Sequence, residues 1–242
     1  MTQSSCQFNV CPGFTLLEIS IVLVIIALIV GGVLVGQDLL ESSKFRRLQS
    51  DVKQLESQMY VFKNRYNSLP GDLSNAVGVL GSTTENGDGS GDINSWPKAG
   101  HTGEACLFGE HLSLAGIIKN SLDCDVRSYR SPSSLSAVQS EFGSHIIPAQ
   151  STNGVCPGCT HLQLFFMLQD ITSISILGGV GILRADQMQL LDNKFDDGIS
   201  NSGIWRASRD VGSGNKCKGP ANNYRNPSEP DSKSCVLSYL IR

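Results

Sequence analysis

Gly13-Phe-Thr-Leu-Leu-Glu18-Ile-Ser-Ile-Val-Leu-Val-Ile-Ile-Ala-Leu-Ile-Val-Gly-Gly-Val-Leu-Val35 decides how the rest of the chain is read. From Phe14 to Val35 there are 22 residues and a single charge, Glu18. At about 1.5 Å per helical residue, such a run spans a hydrocarbon core of about 30 Å. A membrane helix is therefore expected at 14–36. The lone acid is the informative residue, because a carboxylate inside an apolar helix is disfavoured unless it has a function and a partner.

A Gly followed by Phe14-Thr-Leu-Leu-Glu18 and an unbroken apolar run resembles the class III prepilin signal of type IV pilins and type II secretion pseudopilins. The resemblance implies that a prepilin peptidase cuts between Gly13 and Phe14, that the exposed Phe14 is N-methylated, and that Glu18 guides filament assembly. The physical logic agrees. When subunits stagger along a filament, the Glu18 carboxylate of one can meet the Phe14 ammonium of the next in an apolar core that penalises unpaired charge. An ordinary secretory signal would have a shorter apolar core and a small-x-small cleavage site, which this stretch lacks. An uncleaved membrane anchor is the competing reading.

Beyond Gly36 the helix is expected to continue as an amphipathic segment over 37–67. Phe45, Leu48, Val52, Leu55, Met59, Phe62 and Tyr66 recur at alternating spacings of three and four, one apolar stripe that a later sheet would cover. A coiled coil is the alternative, but the pattern fades after about three heptads. Pro70 and Gly71 stop the helix. Residues 68–140 form a connecting region with short helices expected at Asp72–Leu80 and Gly103–Ile118 and a Ser-rich loop at 125–140. Residues 141–242 hold the strands, expected at Ser144–Ala149, His161–Leu168, Ile174–Ile182, Gly203–Ser208 and Val236–Ile241, with a helix at Arg184–Phe195. Helix first and antiparallel sheet last is an α+β arrangement. With residues 1–13 as leader, this is a pilin-like plan.

The chain of 242 residues carries 19 basic and 22 acidic side chains, a net charge of -3 that gives no pull toward nucleic acid. The leader has no charged side chain, while Lys44, Arg46 and Arg47 lie just beyond the span. Of eight cysteines, Cys6 and Cys11 fall in the leader and six remain, an even set that favours disulfides in an oxidising compartment. Cys217 and Cys235 enclose a Gly-, Asn- and Pro-rich loop with little core of its own, and closing it resembles the carboxy-terminal disulfide loop of type IV pilins. Cys106 with Cys124 is the second candidate pair. Cys156-Pro-Gly-Cys159 is either a structural hairpin disulfide or a redox pair; a strand, not a helix, is expected after it, which favours the first. Six cysteines allow fifteen connectivities.

Asn86, Asp88, Ser90 and Asp92 alternate with Gly in Glu85–Ile93, the way a tight loop turns hard oxygens toward calcium, with Glu104 or Glu110 available to complete the shell. The twelfth position from Asn86 is Pro97, so an EF-hand is not matched, and a solvated loop is the alternative. Asp196 and Asp197 could be paired carboxylates for catalysis or metal, but as part of a helix end and turn they are read as binders of backbone amides. No nucleophile elbow, zincin or phosphate-loop motif occurs, and the four histidines have no ligand spacing, so no enzyme is expected. Tyr66-Asn-Ser-Leu-Pro-Gly-Asp72, the Asn-Gly-Asp-Gly loop, His111-Leu-Ser-Leu-Ala-Gly116 and Leu191-Asp-Asn-Lys-Phe-Asp-Asp-Gly198 resemble segments of a subgroup of prepilin-like proteins.

The expected partners are copies of the chain or other pilins, the prepilin peptidase and an inner-membrane assembly platform. Before assembly the carboxy-terminal domain is expected in the periplasm. A minor or specialised subunit is favoured by the length. An anchored periplasmic binding domain and an anchored thiol-disulfide oxidoreductase using Cys156 and Cys159 are the rival functions.

Overall fold

The structure is a computed structural model that describes residues 15–93, 103–119, 138–139, 145–151, 163–169, 181–208, 217, 223–224 and 235–241. Helix α1 runs Leu16–Tyr66, and the chain divides into two compact units, Met1–Lys44 and Phe45–Arg242. In the first unit the described apolar side chains of α1 are exposed, from Leu16 through Val33. A helix that is apolar on every face has no polar side to turn to water, and this one is long enough to cross a membrane.

In the second unit the apolar stripe is buried as its spacing requires. Phe45, Leu48, Val52, Leu55, Met59 and Phe62 all enter the core, and Tyr66 is half-buried against Phe62, with ring centroids 4.5 Å apart. The helix ends at Tyr66, and Asn67, with φ of 53°, turns the chain into the left-handed region that closes a helix end. Helix α2 is Ala76–Leu80 and helix α3 is Glu104–Leu114, both shorter than the expected spans. Asp72 stays outside α2 because it closes the preceding turn, its amide donating to Leu69 O at 3.1 Å, while Leu73 O accepts the amides of Ala76 at 3.3 Å and Gly87 at 3.0 Å. Helix α4, Ala185–Phe195, lies where expected, with the Arg184 amide capped by Gln187 Oε1 at 3.1 Å.

The strands are β1 Val138–Gln139, β2 His145–Ser151, β3 Gln163–Gln169, β4 Trp205–Ser208 and β5 Val236–Leu240. They form one antiparallel sheet of order β1-β2-β3-β5-β4. The short β1 falls inside the stretch expected as loop. Among the described residues it pairs with Ile146 and His145 of β2. The strand expected at Ile174–Ile182 falls largely outside the described residues; its end is tied to β5 through Ile182 N to Cys235 O at 3.0 Å.

One face of the sheet covers the stripe. Ile146, Phe166, Leu168, Leu237 and Tyr239 share one buried cluster with Leu48, Leu55 and Phe62. Tyr239 donates its hydroxyl to Glu56 Oε2 at 2.8 Å, fixing β5 to α1. Phe165, Met167, Val236 and Leu240 form a second cluster with Ala149. The α+β class and the long helix with an antiparallel sheet are those expected of a pilin-like fold.

Candidate functional site

Gly13 and Phe14 lie outside the described residues, and Glu18 sits in the first turn of α1. Its Oε2 accepts the Thr15 amide at 3.1 Å and the Thr15 hydroxyl at 3.0 Å, while the Glu18 amide donates to Thr15 Oγ1 at 3.2 Å. This is a reciprocal capping box, in which Thr15 and Glu18 satisfy amides that the start of a helix leaves without partners. The signal for it, Thr-x-x-Glu before an apolar run, stands in the sequence, overshadowed by the lone charge of Glu18 among apolar residues. In the single chain the carboxylate is thus held by its own helix end.

A second constellation surrounds the turn that follows α1. His111 on α3 is fully buried and accepts the Gly71 amide on Nδ1 at 2.9 Å, which leaves Nε2 to carry the proton and donate to Glu85 O at 3.2 Å. Burial pushes the imidazole down to about 4, so the ring is neutral at physiological pH and fixed in one tautomer. It therefore ties the turn to the loop at Glu85–Ile93. Gly71 is required here: its φ is 92°, and a Cβ would strike the Glu104 carbonyl. Gly87 passes so close to Gly71 and Asp72 that any side chain would collide with their backbone.

The loop's alternating oxygens serve different ends. Asn86 Oδ1 accepts the Val77 amide at 2.9 Å, and Asp92 Oδ1 accepts Gln150 Nε2 at 2.8 Å, so these two are engaged with α2 and β2. Ser90 Oγ accepts the Asp92 amide at 3.4 Å within the loop. Asp88 alone of the four joins a carboxylate cluster, with Asp72 and Glu104; one oxygen of each lies within 4.8 Å of the others. Asp72 and Glu104 are buried, whereas Asp88 is exposed. Burial raises the Asp72 carboxyl above the usual range, the Gly91 amide opposes that, and the Asp88 charge adds to the rise. Asp72 was not among the expected ligands, because 16 positions separate it from Asp88 and no local motif joins them.

A third group, Asp192, Asp196 and Asp197, closes α4. Asp196 Oδ2 accepts the amides of Ile204 and, at 2.7 Å, Trp205, which sets the start of β4. Asp197 takes the Ile199 amide at 2.9 Å and the Ser202 hydroxyl. Both carboxylates thus organise backbone, as read from the sequence. Asp192 is fully buried and accepts the Tyr224 hydroxyl at 2.7 Å. Burial raises its carboxyl to about 6, Tyr224 opposing and the charges of Asp196 and Asp197 adding to the rise.

Cys217 and Cys235 are disulfide-bonded, with Cα atoms 5.1 Å apart, and Cys235 stands immediately before β5. Cys106, in α3, is also disulfide-bonded. Cys124, Cys156 and Cys159 lie outside the described residues, as do His101 and His161.

No curated protein and no solved structure matches the chain. Residues 9–34 match the family described as prokaryotic N-terminal methylation motif. The match covers the Gly13–Phe14 junction, Glu18 and most of the exposed apolar run of α1, and together with that run it fits a membrane-anchored pilin. The chain thus carries, at its amino-terminal end, the processing signal of prepilin-like proteins of the type IV pilin kind.

Proposed function

We propose that the protein is a structural subunit, cleaved after Gly13, N-methylated on Phe14 and assembled through α1 into a type IV pilus or pseudopilus, as a minor or specialised member. The observation that carries this reading is the coincidence of the methylation motif with an apolar helix whose described side chains from Leu16 to Val33 are exposed. Such a surface needs lipid or other copies of the same helix around it. On this reading the chain enters the inner membrane as a single-pass protein with the sheet-bearing unit in the periplasm, meets the prepilin peptidase, and is moved by an assembly platform into the filament.

Glu18 has a defined part in that sequence of events. Held by Thr15 in the single subunit, its carboxylate is exchanged in the filament onto the Phe14 ammonium of a neighbour. The capping box keeps the acid satisfied until that partner arrives. Cys217–Cys235 encloses a displayed loop, and Cys106–Cys124 and Cys156–Cys159 are proposed as structural pairs.

The test is maturation followed by incorporation. In Gly13→Val the leader should remain attached, seen as an unshifted mass of the full chain. In Glu18→Ala the leader should be removed but the subunit should be missing from sheared filaments. A chain that tolerates both changes is a plain anchor, and the proposal fails.

A further inference from the structure

The cluster of Asp72, Asp88 and Glu104 belongs to none of the steps above, and its chemistry asks for a ligand. Three carboxylates lie with oxygens within 4.8 Å of one another, and two of the three are almost wholly buried, Asp72 at 2% and Glu104 at 5% exposure. Burying carboxylates side by side is strongly disfavoured unless a positive charge joins them. The charge acting on Asp72 is that of another acid, Asp88, and the backbone amides of Gly91, Ser90 and Gly89 oppose the resulting rise.

Asp72 supplies the independent observation. Its Oδ2 accepts the Gly91 amide at 3.0 Å, but its Oδ1 is buried with no hydrogen-bond partner among the described residues. Buried polar atoms are nearly always satisfied, and a buried carboxylate oxygen with no hydrogen-bond donor among the described residues, beside two further carboxylates, is a position that a cation would satisfy.

The donors are all hard oxygens, and oxygens that share one calcium ion at 2.3–2.6 Å lie within about 5 Å of each other, as these do. The scaffold is built to hold them. Asp88 is positioned by its own amide on Glu104 Oε1 at 3.0 Å and by the Ser90 amide on its Oδ1 at 2.9 Å. The loop is anchored on both sides, by Gly87 N to Leu73 O at 3.0 Å and by Ile93 N to Gln150 Oε1 at 2.9 Å. We propose that Asp72, Asp88 and Glu104 bind one calcium ion that fastens three segments together: the turn after α1, the loop at Glu85–Ile93 and the head of α3.

The Asp192 group also holds a buried oxygen without a hydrogen-bond partner among the described residues, Asp192 Oδ1, but it differs in its other two members: Asp197 uses both its oxygens on an amide and a hydroxyl, and Asp196 uses one on two amides. It serves as the control. The full-length protein in detergent micelles, stripped with a chelator, is titrated with calcium chloride by equilibrium dialysis, and cleavage of the loop by an added protease is followed in parallel.

The expected result is one calcium per chain that Asp192→Asn leaves intact, with affinity in the range of extracellular calcium modules, roughly 10⁻⁴ to 10⁻³ M. Asp88→Asn and Glu104→Gln should each weaken it by about tenfold or more, since site affinity follows ligand charge. Bound calcium should slow cleavage of the loop. Asp88 is exposed, so its substitution leaves the core untouched, and an unchanged circular dichroism spectrum verifies that. Absence of binding up to about 10 mM calcium overturns the proposal. So does binding that survives Asp88→Asn, or binding that is lost instead in Asp192→Asn.

Discussion

Between Leu16 and Val33 helix α1 leaves its apolar side chains bare, with Leu16 92% and Leu28 71% exposed, whereas from Phe45 onward Leu48, Val52 and Phe62 are sealed at 0%. The backbone conformation is the same; the distribution of side chains is not. In the second stretch one stripe needs one covering layer, and the sheet supplies it from within the chain. In the first stretch every face is apolar, and no single layer covers a cylinder on all sides. The first half is therefore specified for an environment and the second for a fold, so the same kind of substitution should have different effects in the two.

The sharpest way to break that contrast is a paired truncation. Phe62→Ala should cost about 3–5 kcal/mol of stability in the Phe45–Arg242 unit, the usual range for a buried phenylalanine. Ile25→Ala should leave thermal unfolding of that unit unchanged and act on membrane retention or filament incorporation instead. If both variants melt alike, the helix is not divided in the way described.

Next in size is the Cys217–Cys235 bond. Its ends are 18 positions apart, so the chain-entropy relation gives about 3 kcal/mol. Replacing both with Ser should lower the denaturation midpoint of the Phe45–Arg242 unit, and adding reductant to that variant should change little more through this pair.

Two buried titrating groups then sharpen the picture inside the second unit. His111 is held down to about 4 from an ordinary 6.5, so the unfolded chain takes up the proton first and the stability it contributes is lost as pH falls from 6.5 toward 4. Asp192 is raised from 3.8 to about 6, so its contribution is lost in the opposite sense, as pH rises from 3.8 toward 6. A tenfold change in proton affinity is worth about 1.4 kcal/mol, which makes each contribution of order 3 kcal/mol, and between pH 4 and 6 the two largely cancel. Asp192→Asn, which keeps an acceptor for Tyr224, should expose a stability that climbs with pH. His111→Gln, though less stable throughout, should expose one that declines. Urea titrations at pH 4, 5, 6 and 7 separate these cases. The smallest effect is on α4, where Leu190 is exposed: Leu190→Ala should stay within about 0.5 kcal/mol, while Leu191→Ala, at 0% exposure, should cost about 2–5 kcal/mol.

Legibility from the chain follows sequence distance. The stripe from Phe45 to Tyr66 is readable because its period is local, and so is the end of α1 just before the breakers that run from Asn67 to Gly71. Helix α4 is readable for the same reason, through Met188, Leu191 and Phe195. The alternating oxygens after Glu85 are neighbours in the chain but not partners in space, since Asn86 and Asp92 turn away to α2 and β2. What escapes is long-range: Asp72 beside Asp88 and Glu104, His111 reaching back 40 positions to Gly71, and β5 coming to lie next to β3. No periodicity records such meetings, because tertiary packing alone decides them. The two-residue β1 escapes for a different reason, being too short to show an alternation.

The sheet order has a consequence for how the protein is made. The strand delivered last of the five, β5, is slotted between β3 and β4 rather than added to a border. Until residues 236–240 have emerged, the earlier strands amount to a three-stranded fragment and a stray β4 with nothing between them. A message cut short before Val236 would therefore yield two unjoined pieces of sheet rather than a slightly smaller one, and quality control acting on the nascent chain would have to wait for those final strand residues.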